Sequence, residues 1–342
     1  MEQRMRMKYI DILRGIGIII MVSGHIGFGG KFDRYIHTFH MPLFFLISGY
    51  LYNVPKEYSI YDIIINKMRK ILVPYGFFIV INYTFWLALG LNKGNVIKPL
   101  IQCITYNTSG LPIAGALWFL TAIFWVELFY IIVDRSKLNR MFKAILLLVL
   151  PFCISIYQTI NAIRLPLTLD ISAVCLGFYH IGRTFREKEE KIKNFKVIKG
   201  IFNNVDNGWS VIIGLLLANA VIAFCTPYVN IKMRWYGLAP VFWINALMGV
   251  AAYYLLSIKL NCHVGRFCFL RDSIEKIGIN SIVFLGLNQL AILLVEKFVK
   301  VDCKDGVINM VLDFCKLWIV IILLQFVGIC LNNEKLKFLI GK

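Results

Sequence analysis

The chain has 342 residues, 59% of them apolar and 16% charged, and its mean hydropathy is +0.71, a composition that excludes a single water-soluble domain. Its 37 Lys and Arg against 19 Asp and Glu leave a formal charge of +18, but the basic residues fall in short runs between apolar segments. That spacing fits loops at a membrane face and not the contiguous basic surface that nucleic acid requires, so no nucleic-acid partner is expected.

Apolar segments of membrane-spanning length follow at roughly 9–28, 36–53, 73–91, 111–133, 144–161, 165–183, 209–229, 237–257, 279–297 and 308–331. Each approaches the ~20 residues that cross a hydrocarbon core about 30 Å thick. The expected fold class is therefore all-α, a polytopic bundle of about ten transmembrane helices in which residues 1–342 form one integral-membrane domain. An even number of spans puts both termini on one face. With that face cytoplasmic, the inner segments hold 25 basic residues and the outer segments ten, the bias of the positive-inside rule. The basic start, Met1 to Lys8, imitates a signal peptide, but Arg14 interrupts the apolar run and no A-x-A site follows. It reads as a first span that is retained.

The longest polar stretch, REKEEKIKNFKVIKG, lies between Arg183 and Gly208. It reads as a solvated cytoplasmic loop or surface helix, with engagement of anionic lipid or ligand as the alternative. Nine cysteines without a C-x-x-C pair, including Cys153, Cys175, Cys225, Cys315 and Cys330 inside apolar stretches, read as small core residues and not as a disulfide or zinc framework.

The first span, YIDILRGIGIIIMVSGHIGF, carries the sharpest signal. Arg14 and His25 stand eleven residues apart with nothing ionisable between them. On an α-helix that is three turns plus roughly 20°, so the two share a face about 16 Å apart along the axis. Asp11, three residues before Arg14, lies on the same face. Charges in lipid are costly, so this stripe is expected to face the bundle interior or a cavity. One reading has Arg14 binding the phosphate of a long anionic donor and His25 accepting a proton deeper in the membrane. In the other, Arg14 snorkels to headgroups and His25 makes an interhelical hydrogen bond.

The second span adds His37 and His40 in IHTFHMPLFFLISGY, near the end where His25 also falls. No Asp or Glu joins them at ligand spacing, so no metal is expected. A proton-handling or substrate-orienting cluster of His25, His37 and His40 is the functional reading, and packing is the bland one for His37.

These residues resemble a known family, the integral-membrane acyltransferase family 3, O-acyltransferases of bacterial surface sugars. The resemblance rests on IDILRGIGIIIMVSGH with its Arg-x10-His pattern at Arg14 and His25, on FHMPLFFLISGYLY from Phe39 to Tyr52, on KMRKILVPY from Lys67 to Tyr75, and on ALWFLTAIF from Ala116 to Phe124. The segment IGINSIVFLGLNQL is similar to a late family helix, but Asn288 and Gln289 stand where a His is expected, which leaves that helix without an assigned catalytic role.

The resemblance implies acyl transfer, usually of acetyl from acetyl-CoA, to a sugar hydroxyl of a glycan or lipid-linked glycan on the envelope side of a bacterial cytoplasmic membrane. His25 is then the general base, and Arg14 contacts the acyl-CoA donor with help from Arg69 and Lys70, which are otherwise ordinary positive-inside charges. Glu127, an intramembrane carboxylate, either partners Arg14, orients His25 or serves a structural ion pair. Trp118 lines the donor cavity or joins the interfacial aromatic belt. Asp313 and Lys316, three apart, are expected to neutralise each other. Membrane lipid surrounds the chain, and a homo-oligomer stays open. The competing function is a transporter of a small anion or glycan using the same charges, although no paired Gly- or Pro-interrupted spans mark it.

Overall fold

A computed structural model of the chain describes residues 7–54, 57–91, 94–105, 111–161, 163–193, 205–262, 268–298 and 306–342. The described residues are helical, with one isolated bridge between Asn230 and Trp235. In chain order the helices are α1 (Lys8–Ile26), α2 (Gly30–His37), α3 (His40–Tyr50), α4 (Ile60–Ala88), α5 (Ile97–Thr105), α6 (Trp118–Arg135), α7 (Arg140–Ile160), α8 (Leu169–Lys193), α9 (Val205–Cys225), α10 (Ala239–Cys262), α11 (Cys268–Ile279), α12 (Ser281–Phe298) and α13 (Gly306–Leu331).

Eight helical segments among the described residues are long and apolar enough to cross a membrane: α1, α4, the stretch Pro112–Arg135 that contains α6, α7, the Gly208–Cys225 part of α9, α10, α12 and α13. Two of the ten expected spans take other forms. The segment 36–53 is interrupted by a turn at Thr38 and Phe39, and the remaining α3 has 11 residues, about half a hydrocarbon thickness at ~1.5 Å per residue. The segment 165–183 begins α8, which continues to Lys193 with a charged second half.

Two long helices carry a proline inside an apolar run, and both yield in the same way. Pro74 and Pro151 have no N–H to donate and crowd the carbonyl four residues back. A single π-helical turn precedes each, Met68–Leu72 in α4 and Ile145–Val149 in α7, and it absorbs the mismatch. Arg69 and Lys70 sit on the first of these turns.

The chain forms two compact units. One comprises residues 1–21, 30–52 and 178–281, the other residues 22–29, 53–177 and 282–342. The first is built on reciprocal glycine contacts. A Cβ on Gly15 would stand 2.0 Å from the Ile274 carbonyl oxygen, and one on Gly278 would stand 1.9 Å from that of Asp11, so α1 and α11 approach backbone to backbone. The same exchange joins α3 to α8, Gly49 meeting Tyr179 O at 1.9 Å and Gly182 meeting Leu46 O at 2.0 Å. Small residues at helix interfaces permit this spacing where lipid supplies no hydrophobic drive. Ile10, Leu13, Leu43, Ile47, Tyr50, Val250 and Tyr254 fill the core between α1, α3 and α10.

At the N-terminal end of α1 the described part of the polar stretch is helical, with Glu187, Lys188 and Lys191 exposed, but Glu189 within it departs from the solvated reading. Glu189 on α8 is buried, with its side chain 2% exposed. Its carboxylate accepts hydrogen bonds from Tyr50 at 2.5 Å, Tyr254 at 2.8 Å and Tyr9 at 3.2 Å, and pairs with Arg186 at 2.6 Å. A buried carboxylate needs such partners to offset desolvation, and these fix α8 to α1, α3 and α10. Residues 194–204 of the same stretch lie outside the described residues.

In the second unit, Gly286 lets α12 close on the Phe78 ring of α4. Asn82 Nδ2 donates to Gly286 O at 2.9 Å and to Phe78 O at 2.8 Å, fastening the same crossing.

Candidate active site

Helix α1 runs unbroken from Lys8 to Ile26 and so carries Asp11, Arg14 and His25 on one element. It ends where Gly27 turns to φ +94, the left-handed terminator glycine adopts at low steric cost. His25 therefore lies in the last turn of the helix.

In the first unit, Arg14 Nη1 meets Asp11 Oδ1 at 3.3 Å, the two side chains 26% and 10% exposed. The pair spans one helical turn, so the backbone holds it with little loss of side-chain entropy. The planar guanidinium of Arg14 has a fork of donors that suits a phosphate or carboxylate.

The first unit also brings His37 and His40 together, with ring centroids 4.9 Å apart. Each Nδ1 faces the carbonyl four residues back, His37 to Asp33 O at 2.8 Å and His40 to Ile36 O at 2.7 Å. A carbonyl only accepts, so Nδ1 bears the proton in both rings, and the lone pair of the neutral ring is at Nε2. His40 is buried. Among the described residues no group of three or more His, Cys, Asp or Glu is placed to hold a metal ion.

In the second unit, His25 is exposed, and its Nδ1 stands 3.5 Å from Gln289 Nε2 on α12. The amide is oriented from its other end, because Gly115 N–H donates to Gln289 Oε1 at 2.6 Å. With the carbonyl end taken, the NH2 group points at the imidazole, which makes His25 Nδ1 the accepting nitrogen. Gly115 permits the arrangement: a Cβ there would stand 2.7 Å from Gln289 Oε1. Trp118, three residues on, is buried at the start of α6.

Glu127 resolves among the alternatives the sequence left for it. Its Oε2 meets Lys67 Nζ on α4 at 2.8 Å, an ion pair within the second unit and not a link to Arg14 or His25. Lys67 directly precedes the π turn that carries Arg69 and Lys70, both exposed. Asp313 and Lys316 pair at 3.2 Å on α13.

Sequence reasoning left three partners unassigned. Gln289 stands where a His is expected, Lys67 enters only as the first residue of a family motif, and Glu189 lies in a polar run. For Gln289 the signal was the glycine at 115, which makes room for a side chain 174 residues away.

A comparison with protein-family models matches residues 7–331 to the acyltransferase domain of family 3. The chain belongs to acyltransferase family 3. The match spans both units and every described transmembrane segment, so this family member is a multi-pass membrane acyltransferase. Neither a comparison with curated proteins nor one with solved structures gives a match.

Proposed function

We propose that this acyltransferase moves an acetyl group from cytoplasmic acetyl-CoA to a hydroxyl of an envelope or extracellular polysaccharide, or of its lipid-linked precursor, in a bacterial cytoplasmic membrane. The observation that carries the reading is the oriented His25. A sugar hydroxyl is a poor nucleophile at neutral pH, and a positioned base is worth roughly 10² to 10⁴ in rate. The contact between His25 Nδ1 and Gln289 is long, 3.5 Å, and an incoming hydroxyl at ordinary hydrogen-bond distance displaces it.

In the reaction the hydroxyl proton passes to His25 Nδ1 as the sugar oxygen attacks the thioester carbonyl. A C–O bond forms, the C–S bond breaks, and the imidazolium returns its proton to the departing thiolate. Arg14, held by Asp11, binds phosphate of the donor, and Arg69 and Lys70 add positive charge for it. Glu127 sets the position of Lys67 beside them, Trp118 lines the donor path, and His40 orients the acceptor. A second copy of the chain is compatible with this chemistry but is not needed for it.

The test is acyl transfer in proteoliposomes loaded with radiolabelled acetyl-CoA and supplied outside with a chemically de-O-acylated envelope polysaccharide. Label appears in the polysaccharide, and Arg14→Ala raises the KM for acetyl-CoA about ten- to a hundredfold, the loss of one or two charge-assisted hydrogen bonds. Movement of intact label across the membrane without acylation contradicts the proposal and favours transport.

A further inference from the structure

The first unit contains an oriented imidazole, His37, that the proposed chemistry does not use. Helix α2 is fastened to the end of α9 by Arg34, whose Nε donates to Ala223 O at 2.8 Å and whose Nη2 donates to Thr226 O. Asp33 and His37, one turn apart on α2, both contact Tyr228 of the loop that follows α9. Tyr228 donates to Asp33 Oδ2 at 2.7 Å, and its ring lies 5.5 Å from that of His37.

The other carboxylate oxygen, Asp33 Oδ1, is 3.1 Å from His37 Nδ1. Burial, together with its bond to Asp33, pushes the Tyr228 phenol up to about 12, so it stays a donor and keeps Oδ2 occupied at any physiological pH. Asp33 Oδ1 and Asp33 O are thus both directed to the Nδ1–H of His37. This is a carboxylate-oriented imidazole, the arrangement that fixes a tautomer and strengthens the opposite nitrogen as an acceptor. The His37 side chain is 21% exposed, and among the described residues its Nε2 makes no hydrogen bond. Trp235, whose ring meets that of Tyr228 at 6.3 Å, exposes 55% of its surface beside the array.

We infer that Asp33, His37 and Tyr228 form a subsite for the glycan acceptor, in which His37 Nε2 accepts a hydrogen bond from a sugar hydroxyl. A lone-pair nitrogen selects a ligand that donates. Phosphates and carboxylates only accept, and the Asp33 charge is beside them, so the subsite takes the hydroxyl-bearing acceptor and not the anionic donor. Asp33 acts through His37 and is a positioning residue. The inference rests on the acyltransfer proposed above for the role of the bound sugar, while the binding itself is separable from it.

The experiment uses the full-length protein in detergent with the de-O-acylated envelope polysaccharide as probe. Binding is followed without donor by saturation-transfer NMR, and transfer is followed with acetyl-CoA. His37→Phe weakens polysaccharide binding and raises its KM about tenfold or more, while the KM for acetyl-CoA changes less than twofold. His37→Gln, whose amide oxygen still accepts, retains part of the binding. Asp33→Asn has the smaller effect, about threefold, because the Asp33 main-chain carbonyl still fixes the tautomer. Melting temperatures of all variants match wild type. Unchanged polysaccharide binding in His37→Phe, equal weakening of donor and acceptor, or no binding by wild type overturns the inference. Lost binding in His37→Phe combined with no transfer by wild type supports the subsite and removes the proposed reaction instead.

Discussion

The two ends of α1 hold their polar groups differently, one buried among short hydrogen bonds and the other exposed. At the N-terminal end, Tyr9 joins Tyr50, Tyr254 and Arg186 around Glu189, with contacts of 2.5 to 3.2 Å and a carboxylate closed off from solvent. At the C-terminal end, His25 is exposed and meets Gln289 at 3.5 Å. Each end sits in its own compact unit. A group whose hydrogen bonds are already short has nothing to offer a substrate, and its worth is structural. An exposed group with a long contact can be reached by a substrate, and catalytic hydrogen bonds are often long until substrate tightens them. The buried end anchors the helix, and the exposed end is the one to which the proposal assigns the chemistry.

Substitutions at the two ends accordingly move different readouts. Of two substitutions that probe the ends through their neighbours, the larger effect is expected from Gly115→Ala. Its Cβ meets Gln289 2.7 Å from Oε1 and 3.0 Å from Nε2, so the amide shifts and His25 loses its orienting contact. Displacement of about 1 Å near a reacting group costs up to ~10² in rate, which steady-state transfer assays read as a fall in kcat with the melting temperature nearly unchanged. An unaltered kcat breaks the link between Gly115 and His25.

The smaller effect belongs to the anchor. Glu189→Ala leaves the hydroxyls of Tyr50 and Tyr254 without their acceptor. Hydrogen bonds to a charged group contribute ~1.5–3 kcal/mol, and Arg186, 38% exposed, adds little because solvent screens it. Thermal unfolding in detergent is expected to show a drop of a few degrees, with kcat retained below the transition. A loss of kcat without a loss of stability reverses the assignment of the two ends.

Much of the architecture was legible because the bilayer imposes a length and an apolarity that the sequence displays directly. The run from Lys8 to Ile26 and the pairs Asp11–Arg14 and Asp313–Lys316 follow from helical spacing alone. The π turn of α4 is legible in principle from Pro74, but the helix begins at Ile60, well before the apolar segment that starts at residue 73. The short α3 was not, since periodicity does not report the turn at Thr38 and Phe39. Glu189 escaped because a carboxylate in a run of mixed charge has the composition of a solvated face, and burial there depends on phenols 139, 180 and 65 residues away. Gln289 escaped for a related reason. Its role comes from the backbone N–H of Gly115, a donor that every residue but proline possesses and that no sequence pattern marks.

The central claim is that His25 takes the proton of the attacking hydroxyl. Acetyl transfer to the de-O-acylated polysaccharide should be measured for wild type and His25→Ala at saturating acetyl-CoA, with donor binding and melting temperature recorded on the same preparations. The account predicts that His25→Ala binds acetyl-CoA and melts as wild type does, while kcat falls by about 10² to 10⁴. Transfer by His25→Ala at the wild-type rate would contradict it.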